Sequence, residues 1–169
     1  MSLTNVFGWL ENLPYATAIR ESGWLFPTIE TTHVIALTMV VGSIGMMDLR
    51  LLGVSSRDRA VSEVSAQVLP YTWASFVLAA ITGFLLFSSA AVRYWGLYTF
   101  RAKMCLLLLA GVNMMVFHVM TYKTVKHWDN QVRTPRAARI AGALSLLLWI
   151  GVVVCGRWLG FLGQETPPS

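Results

Sequence analysis

Along this chain, apolar residues run nearly unbroken through four long stretches, near 26–47, 68–92, 102–121 and 140–161, with polar residues gathered between them. Each stretch reaches the roughly 20 helical residues needed to cross about 30 Å of hydrocarbon. The third, AKMCLLLLAGVNMMVFHVMTY, and the fourth, IAGALSLLLWIGVVVCGRWLGF, carry almost no charge. The second contains Pro70, which the pattern places in the first turn, where its missing N–H has no intrahelical partner. Ahead of the first stretch, Val6, Phe7, Leu10 and Leu13 fall at helical spacing before Pro14 interrupts them, which predicts a short helix lying in the headgroup region. This N-terminus lacks the positive region and uninterrupted apolar segment of a signal peptide and is expected to stay attached. The pattern thus predicts an all-α membrane protein, a bundle of four transmembrane helices with a short N-terminal interfacial helix. Its divisions are an interfacial segment over 1–23, a membrane domain over 24–162 and a polar tail over 163–169.

Composition strengthens this picture. Of 169 residues, 56% are hydrophobic and 12% charged, about half the charged share of a soluble domain, so lipid is the solvent for most of the chain. The net charge of +5 does not point to nucleic acid, because the basic residues lie between apolar runs rather than along one soluble face. Anionic headgroups against the loop YKTVKHWDNQVRTPRAAR are the expected partner, beside a homo-oligomer or a larger membrane complex. Arg50, Arg57, Arg59, Lys123, Lys126, Arg133, Arg136 and Arg139 flank one face of a four-span protein, and Arg20, Arg93, Arg101, Lys103 and Arg157 the other. The richer face is expected to be cytoplasmic, which places both termini outside. Trp24, Trp73, Trp95, Trp128 and Trp158 fall near the proposed boundaries, where amphipathic rings prefer to sit, and only Trp149 lies deep.

Polar residues inside the spans can be ranked by depth at about 1.5 Å per residue. Glu30 falls about 3 Å and His33 about 7 Å below the outer edge, three residues apart on one helix face. Met104, Cys105, Cys155 and Arg157 share that outer layer. His118 lies about 24 Å from the outer edge, level with Ser43, Ser75 and Ser145. A haem ligated by both His33 and His118 is disfavoured, since the two are about 17 Å apart along the membrane normal. Haem b through one histidine and a methionine fits the residues better, as His33 with Met104 or His118 with Met46 or Met47. A soft metal ion at Glu30, His33, Cys105 and Cys155 also suits the ligand types, although two cysteines on separate helices are more often buried small hydrophobes. A bridge between them would require Cα atoms within about 7 Å. The E-x-x-H of Glu30 to His33 has no second copy, so a ferritin-like di-iron centre is not expected.

Simple structural roles stand beside these. Glu30 and His33 could pair with Arg157 and fix how the first and fourth helices meet, and His118 could bond one of the serines at its depth. Asn113 and Thr38 could meet near the midplane. His127 reads as an interfacial histidine. Asp48 and Arg50, with Arg57, Asp58 and Arg59, are expected to form an ion-pair cluster at the headgroups. No activated nucleophile, phosphate-binding glycine loop or complete metal signature appears, so no enzymatic activity is assigned.

E-x-x-H near the start of the first span, G-S-I-G-M-M-D-L-R-L-L-G at its far end, T-G-F-L-L-F in the second, F-R-A-K before the third and G-V-N-M-M-V-F-H within it together resemble a family of uncharacterised bacterial integral membrane proteins. The likeness covers about residues 24–160 and implies a bacterial four-helix inner-membrane protein, with no activity to carry over. Two classes of function follow from the residues themselves. One is a redox or cofactor component holding haem, metal or quinone, with Glu30 and His33 as ligands or proton carriers. The other is a non-catalytic subunit of a larger membrane complex. A small permease would normally show inverted repeats or broken helices, and four spans would have to dimerise to enclose a path.

Overall fold

The computed structural model describes residues 3–56, 58–129 and 134–162. It is all-α, with no strand among the described residues. Two short helices, α1 (Leu3–Glu11) and α2 (Pro14–Glu21), precede α3 (Leu25–Leu52) and α4 (Val61–Ser89). A six-residue α5 (Ala91–Gly96) leads to α6 (Tyr98–Val116), which continues as a π-turn over Phe117–Thr121 and a 3-10 turn over Tyr122–His127. The last helix, α7, runs Arg136–Leu162. Four helical stretches, Leu25–Leu52, Val61–Ser89, Tyr98–His127 and Arg136–Phe161, are long and apolar enough to cross a membrane, as the hydrophobic pattern predicts.

Three local readings change. The N-terminal segment forms two helices rather than one, because Pro14 takes the first position of α2, where its fixed φ is pre-organised for a helix. Pro70 lies inside α4, which begins about seven residues earlier than its apolar run and is supported there by Glu63 in its first turn and by a cap described below. The second span then ends at Ser89, and Ala90 breaks the helix before α5.

The chain divides into two compact units, one made of residues up to Val40 and Tyr71–Tyr98, the other of Val41–Pro70 and the residues from Thr99 onward. In the first, α1 and α2 dock on the junction of α4 and α5. Phe7 packs against Phe87 and Trp95, with ring centroids 5.6 and 5.0 Å away, and Ala16 and Ile19 are buried. Arg20 donates to the Ser89 carbonyl at 3.2 Å and to the Glu11 carbonyl at 3.3 Å, so one guanidinium serves the ends of two helices whose last carbonyls have no intrahelical donor. The Glu11 carboxylate in turn accepts from the Val92 N–H at 2.8 Å, capping α5, whose own N-cap residue Ala90 has no side chain to do so.

In the second unit a cluster of Leu51, Val61, Phe117, Val125, Trp128 and Ala138 is buried, with Met47, Tyr122 and Ala141 packed against it. Trp128 is therefore a core residue, and its indole N–H donates to the Thr124 hydroxyl. Helix α7 approaches α3 closely at Gly142, where an added Cβ would lie 3.2 Å from both the Asp48 carbonyl oxygen and Leu51 Cβ. The ion-pair cluster expected around Asp-Leu-Arg takes a different form. Arg50 is 0% exposed and donates through Nε to the Arg59 carbonyl at 2.7 Å and through a terminal nitrogen to the Asp129 carbonyl. Asp48 is also buried, with the Ser145 hydroxyl hydrogen-bonded to its carboxyl group. Among the described residues there, an exposed ion pair joins Arg59 to Glu63 at 2.6 Å. Arg57 lies outside the described residues, as do Arg133 and the tail 163–169.

Candidate functional site

The clearest polar site on a span centres on His33, in α3 of the first unit. Its Nδ1 lies 3.0 Å from the hydroxyl of Thr82 on α4. The same hydroxyl donates to the Leu78 carbonyl one turn back, at 2.7 Å. A Cβ added at Gly83 would stand 2.9 Å from His33 Cε1, 3.4 Å from Nδ1 and 3.7 Å from Nε2. The imidazole thus has its edge against bare α4 backbone, in a space that any side chain at position 83 would fill. Glycine inside a helix costs about 1 kcal/mol relative to alanine, and threonine is a poor helix former. The histidine they accommodate gives both residues a reason to be there.

One turn from His33, Glu30 is exposed near the end of α3. Across from it stands Tyr94 of α5. Burial pushes the Tyr94 phenol up, the Glu30 carboxylate adds to that shift, and Arg93 opposes both. Glu30, His33, Thr82 and Tyr94 therefore belong to one unit, in which the N-terminal helices are joined to the α4–α5 junction beside Tyr94 through Arg20 and Glu11. The E-x-x-H spacing identifies Glu30 and His33 in the sequence. Thr82, Gly83 and Tyr94 go unmarked there, although Thr82 and Gly83 open the T-G-F-L-L-F motif.

The remaining predicted residues have other partners. His118 donates from Nδ1 to the Met114 carbonyl at 2.9 Å rather than to a serine, and its ring packs beside Phe117 and Tyr122 in the π-turn. Thr38 donates within its own helix to the Val34 carbonyl, while Asn113 donates to the Ala141 carbonyl of α7 at 3.0 Å, so each finds a backbone partner. The Arg157 guanidinium lies 5.0 Å above the Phe161 ring. Cys105 and Cys155 are both reduced thiols, the first exposed and the second partly buried. Among the described residues, no three histidine, cysteine, aspartate or glutamate side chains come together as a group that could hold a metal ion.

A second polar centre went unread in the sequence. Asp129, after the 3-10 turn, caps the start of α4 from 67 residues away. Its carboxylate accepts from the Ser62 N–H at 2.8 Å and from the Ser62 hydroxyl, and its carbonyl accepts from the Val61 N–H at 3.2 Å. Partial burial pushes the Asp129 carboxyl up. The hydrogen bonds from the Ser62 side chain and from the Ser62 and Val61 N–H groups, together with the Arg50 charge, outweigh it and hold the group below the ordinary aspartate value. The Thr134 hydroxyl donates to the Leu51 carbonyl, so both sides of the 130–133 segment are tied down.

Four helices long and apolar enough to cross a membrane, with ionisable residues on them, point to the class of helical membrane proteins. Within that class the chain belongs to a family of unknown function (DUF6644), whose model matches residues 6–162. No curated protein and no solved structure matches the chain.

Proposed function

We propose that this protein is a redox-associated component of a bacterial inner membrane that binds a quinone-type head group at its Glu30–His33 turn. The observation that supports this most directly is the seat of His33. An ionisable side chain on a membrane span is costly, and here a hydroxyl and a glycine on a second helix are given over to orienting it. Quinone chemistry couples electrons to protons. A histidine oriented on one nitrogen, with a carboxylate one turn nearer the surface, offers an acceptor for a hydroxyl proton and a relay to water. In this reading His33 hydrogen-bonds the head group, Glu30 exchanges protons with solvent, and Tyr94 borders the same end of α3.

The basic residues orient the site. With the richer face cytoplasmic, both termini and the Glu30 end of α3 lie outside the cytoplasm. Lys123, Lys126, Arg136 and Arg139, all exposed, then meet anionic headgroups on the inner leaflet.

A second reading, a non-catalytic subunit of a larger complex, draws support from the other unit. There Arg50, Asn113 and Thr134 donate to backbone carbonyls of the chain itself, and Asp129 accepts from the Ser62 N–H and hydroxyl. One titration separates the two readings. The full chain in lipid nanodiscs is titrated with a short-chain benzoquinone and with its hydroquinone, read by quenching of tryptophan fluorescence. The redox reading expects saturable binding that weakens at least about tenfold, or about 1.4 kcal/mol, in His33→Ala and Glu30→Gln. Absence of saturation, or equal affinity in both variants, refutes it and leaves the subunit reading. A Soret band in the absorption spectrum of the purified protein would replace quinone by haem.

A further inference from the structure

The hydrogen-bond pattern around Thr82 says more about His33 than its position does. A threonine hydroxyl has one proton. That of Thr82 is directed to the Leu78 carbonyl at 2.7 Å, with the Ala79 carbonyl at 3.3 Å on the same side. What the oxygen turns toward His33 Nδ1 at 3.0 Å is therefore a lone pair. Two lone pairs do not make a hydrogen bond, so Nδ1 must carry the proton. We infer that Thr82 and Gly83 are positioning residues that hold neutral His33 in its Nδ1–H tautomer and so make Nε2 the nitrogen that accepts.

Gly83 contributes through space. Unconstrained histidine favours the opposite tautomer, and a ring able to turn would recover it. With Cε1 2.9 Å from where a Cβ would stand, the ring occupies the one place that glycine leaves open. Alanine there would push the ring away from α4 and lengthen the bond to Thr82.

Taken with the quinone reading, on which this consequence rests, the tautomer sets the preferred oxidation state of the ligand. A neutral imidazole accepting at Nε2 complements the hydroxyl of a hydroquinone. It opposes the carbonyl of a quinone, which is itself an acceptor and leaves two acceptors facing each other. The site then takes the reduced, hydroxyl-bearing ring while His33 is neutral, and the oxidised ring only when His33 is protonated and both nitrogens donate.

The test of the tautomer uses no ligand. Nitrogen NMR of the full chain in nanodiscs, with ring-labelled histidine, distinguishes a nitrogen bearing hydrogen from one bearing a lone pair. The chain has three histidines, and His33→Gln assigns the signal of interest. At neutral imidazole, the expected result is hydrogen on Nδ1 and a lone pair on Nε2. Thr82→Val and Gly83→Ala should lose that pattern and Thr82→Ser restore it, while His118, which donates from Nδ1 to the Met114 carbonyl, stays unchanged throughout. Hydrogen on Nε2 in the wild type, or an unaltered pattern in Thr82→Val, overturns the inference. In the titration, hydroquinone should bind more tightly than quinone at a pH where His33 is neutral, with the ratio collapsing in Thr82→Val. If neither form binds while the NMR pattern holds, the quinone reading fails and the tautomer stands.

Discussion

The Asp129 cap on α4 permits a quantitative test. Asp129→Ala removes the carboxylate that accepts from the Ser62 N–H and hydroxyl. Losing an N-cap acceptor costs about 0.5–2 kcal/mol, and hydrogen bonds to a charged group contribute about 1.5–3 kcal/mol. Because Asp129 is partly exposed, solvent screening favours the lower part of that range, and about 2 kcal/mol is the expected loss. Local opening of the first turn of α4 should then be about 30-fold more populated, at tenfold per 1.4 kcal/mol. Hydrogen exchange of the peptide beginning at Val61, measured by mass spectrometry on the protein in nanodiscs, reads this opening directly. Asp129→Asn, which keeps a neutral acceptor, should lose roughly half as much free energy. The pH dependence has a definite sign. The folded-state value of Asp129 lies below the ordinary 3.8, so its stabilisation is complete above that pH and is lost as pH falls below 3.8 and through the folded value. Wild type and Asp129→Ala should therefore differ at neutral pH and converge in acid when thermal unfolding is followed in mild detergent. Unchanged exchange in Asp129→Ala, or a difference that grows in acid, would refute the trans-cap.

Further outcomes follow from the close contacts. Gly142→Leu should destabilise by about 1–3 kcal/mol in the same thermal assay, because the Asp48 backbone and Leu51 Cβ stand where the side chain must go. Gly151→Ala should be neutral or gain up to about 1 kcal/mol, since its tight neighbour is only the Leu106 Cδ1 methyl, the far end of a flexible side chain. Arg20→Ala should release α2 from the carbonyls of Ser89 and Glu11 that end α4 and α1, seen as faster proteolysis before Trp24 with α6 and α7 unaffected. Thiol alkylation of the denatured chain should modify Cys105 and Cys155 equally with and without prior reduction; a dependence on reduction would contradict the two free cysteines.

The spans were legible because lipid imposes a one-dimensional rule: about 20 apolar residues in a row, whatever they later touch. Glu30 and His33 stood out for the same reason, as ionisable residues in apolar surroundings. Their neighbours did not. Thr82 and Gly83 read as ordinary span residues because their role depends on the rotation of α4 about its axis, which a hydrophobic run on all sides leaves unspecified. Pro70 was misplaced because the apolar run starts later than the helix, whose first turn is polar and held by Asp129. Arg50 looked like a headgroup residue by its place in the sequence, yet it is buried and its donors go to the carbonyls of Arg59 and Asp129. Contacts across 67 or 79 residues leave no local trace in one sequence.

These long-range contacts share a logic. Between apolar helices in lipid the hydrophobic effect offers little net attraction, so specificity must come from close packing and hydrogen bonds. Helix ends supply the donors and acceptors that need partners. Here Glu11 serves the start of α5, Arg20 the ends of α1 and α4, and Asp129 the start of α4. Arg50 belongs to the same set, since it joins the Arg59 carbonyl before α4 to the Asp129 carbonyl after the 3-10 turn. Arg50 and Asp129 should therefore act on one structure rather than on two independent sites. Arg50→Ala frees the backbone that carries Asp129, and Asp129→Ala frees the start of α4 that Arg50 helps to hold, so whichever change comes second has less left to break. A double-mutant cycle on α4 exchange should then give a coupling of about 0.5–3 kcal/mol, with the double variant less damaged than the sum of the singles. Additivity within about 0.5 kcal/mol would mean that the two residues stabilise separate elements and would refute a shared latch.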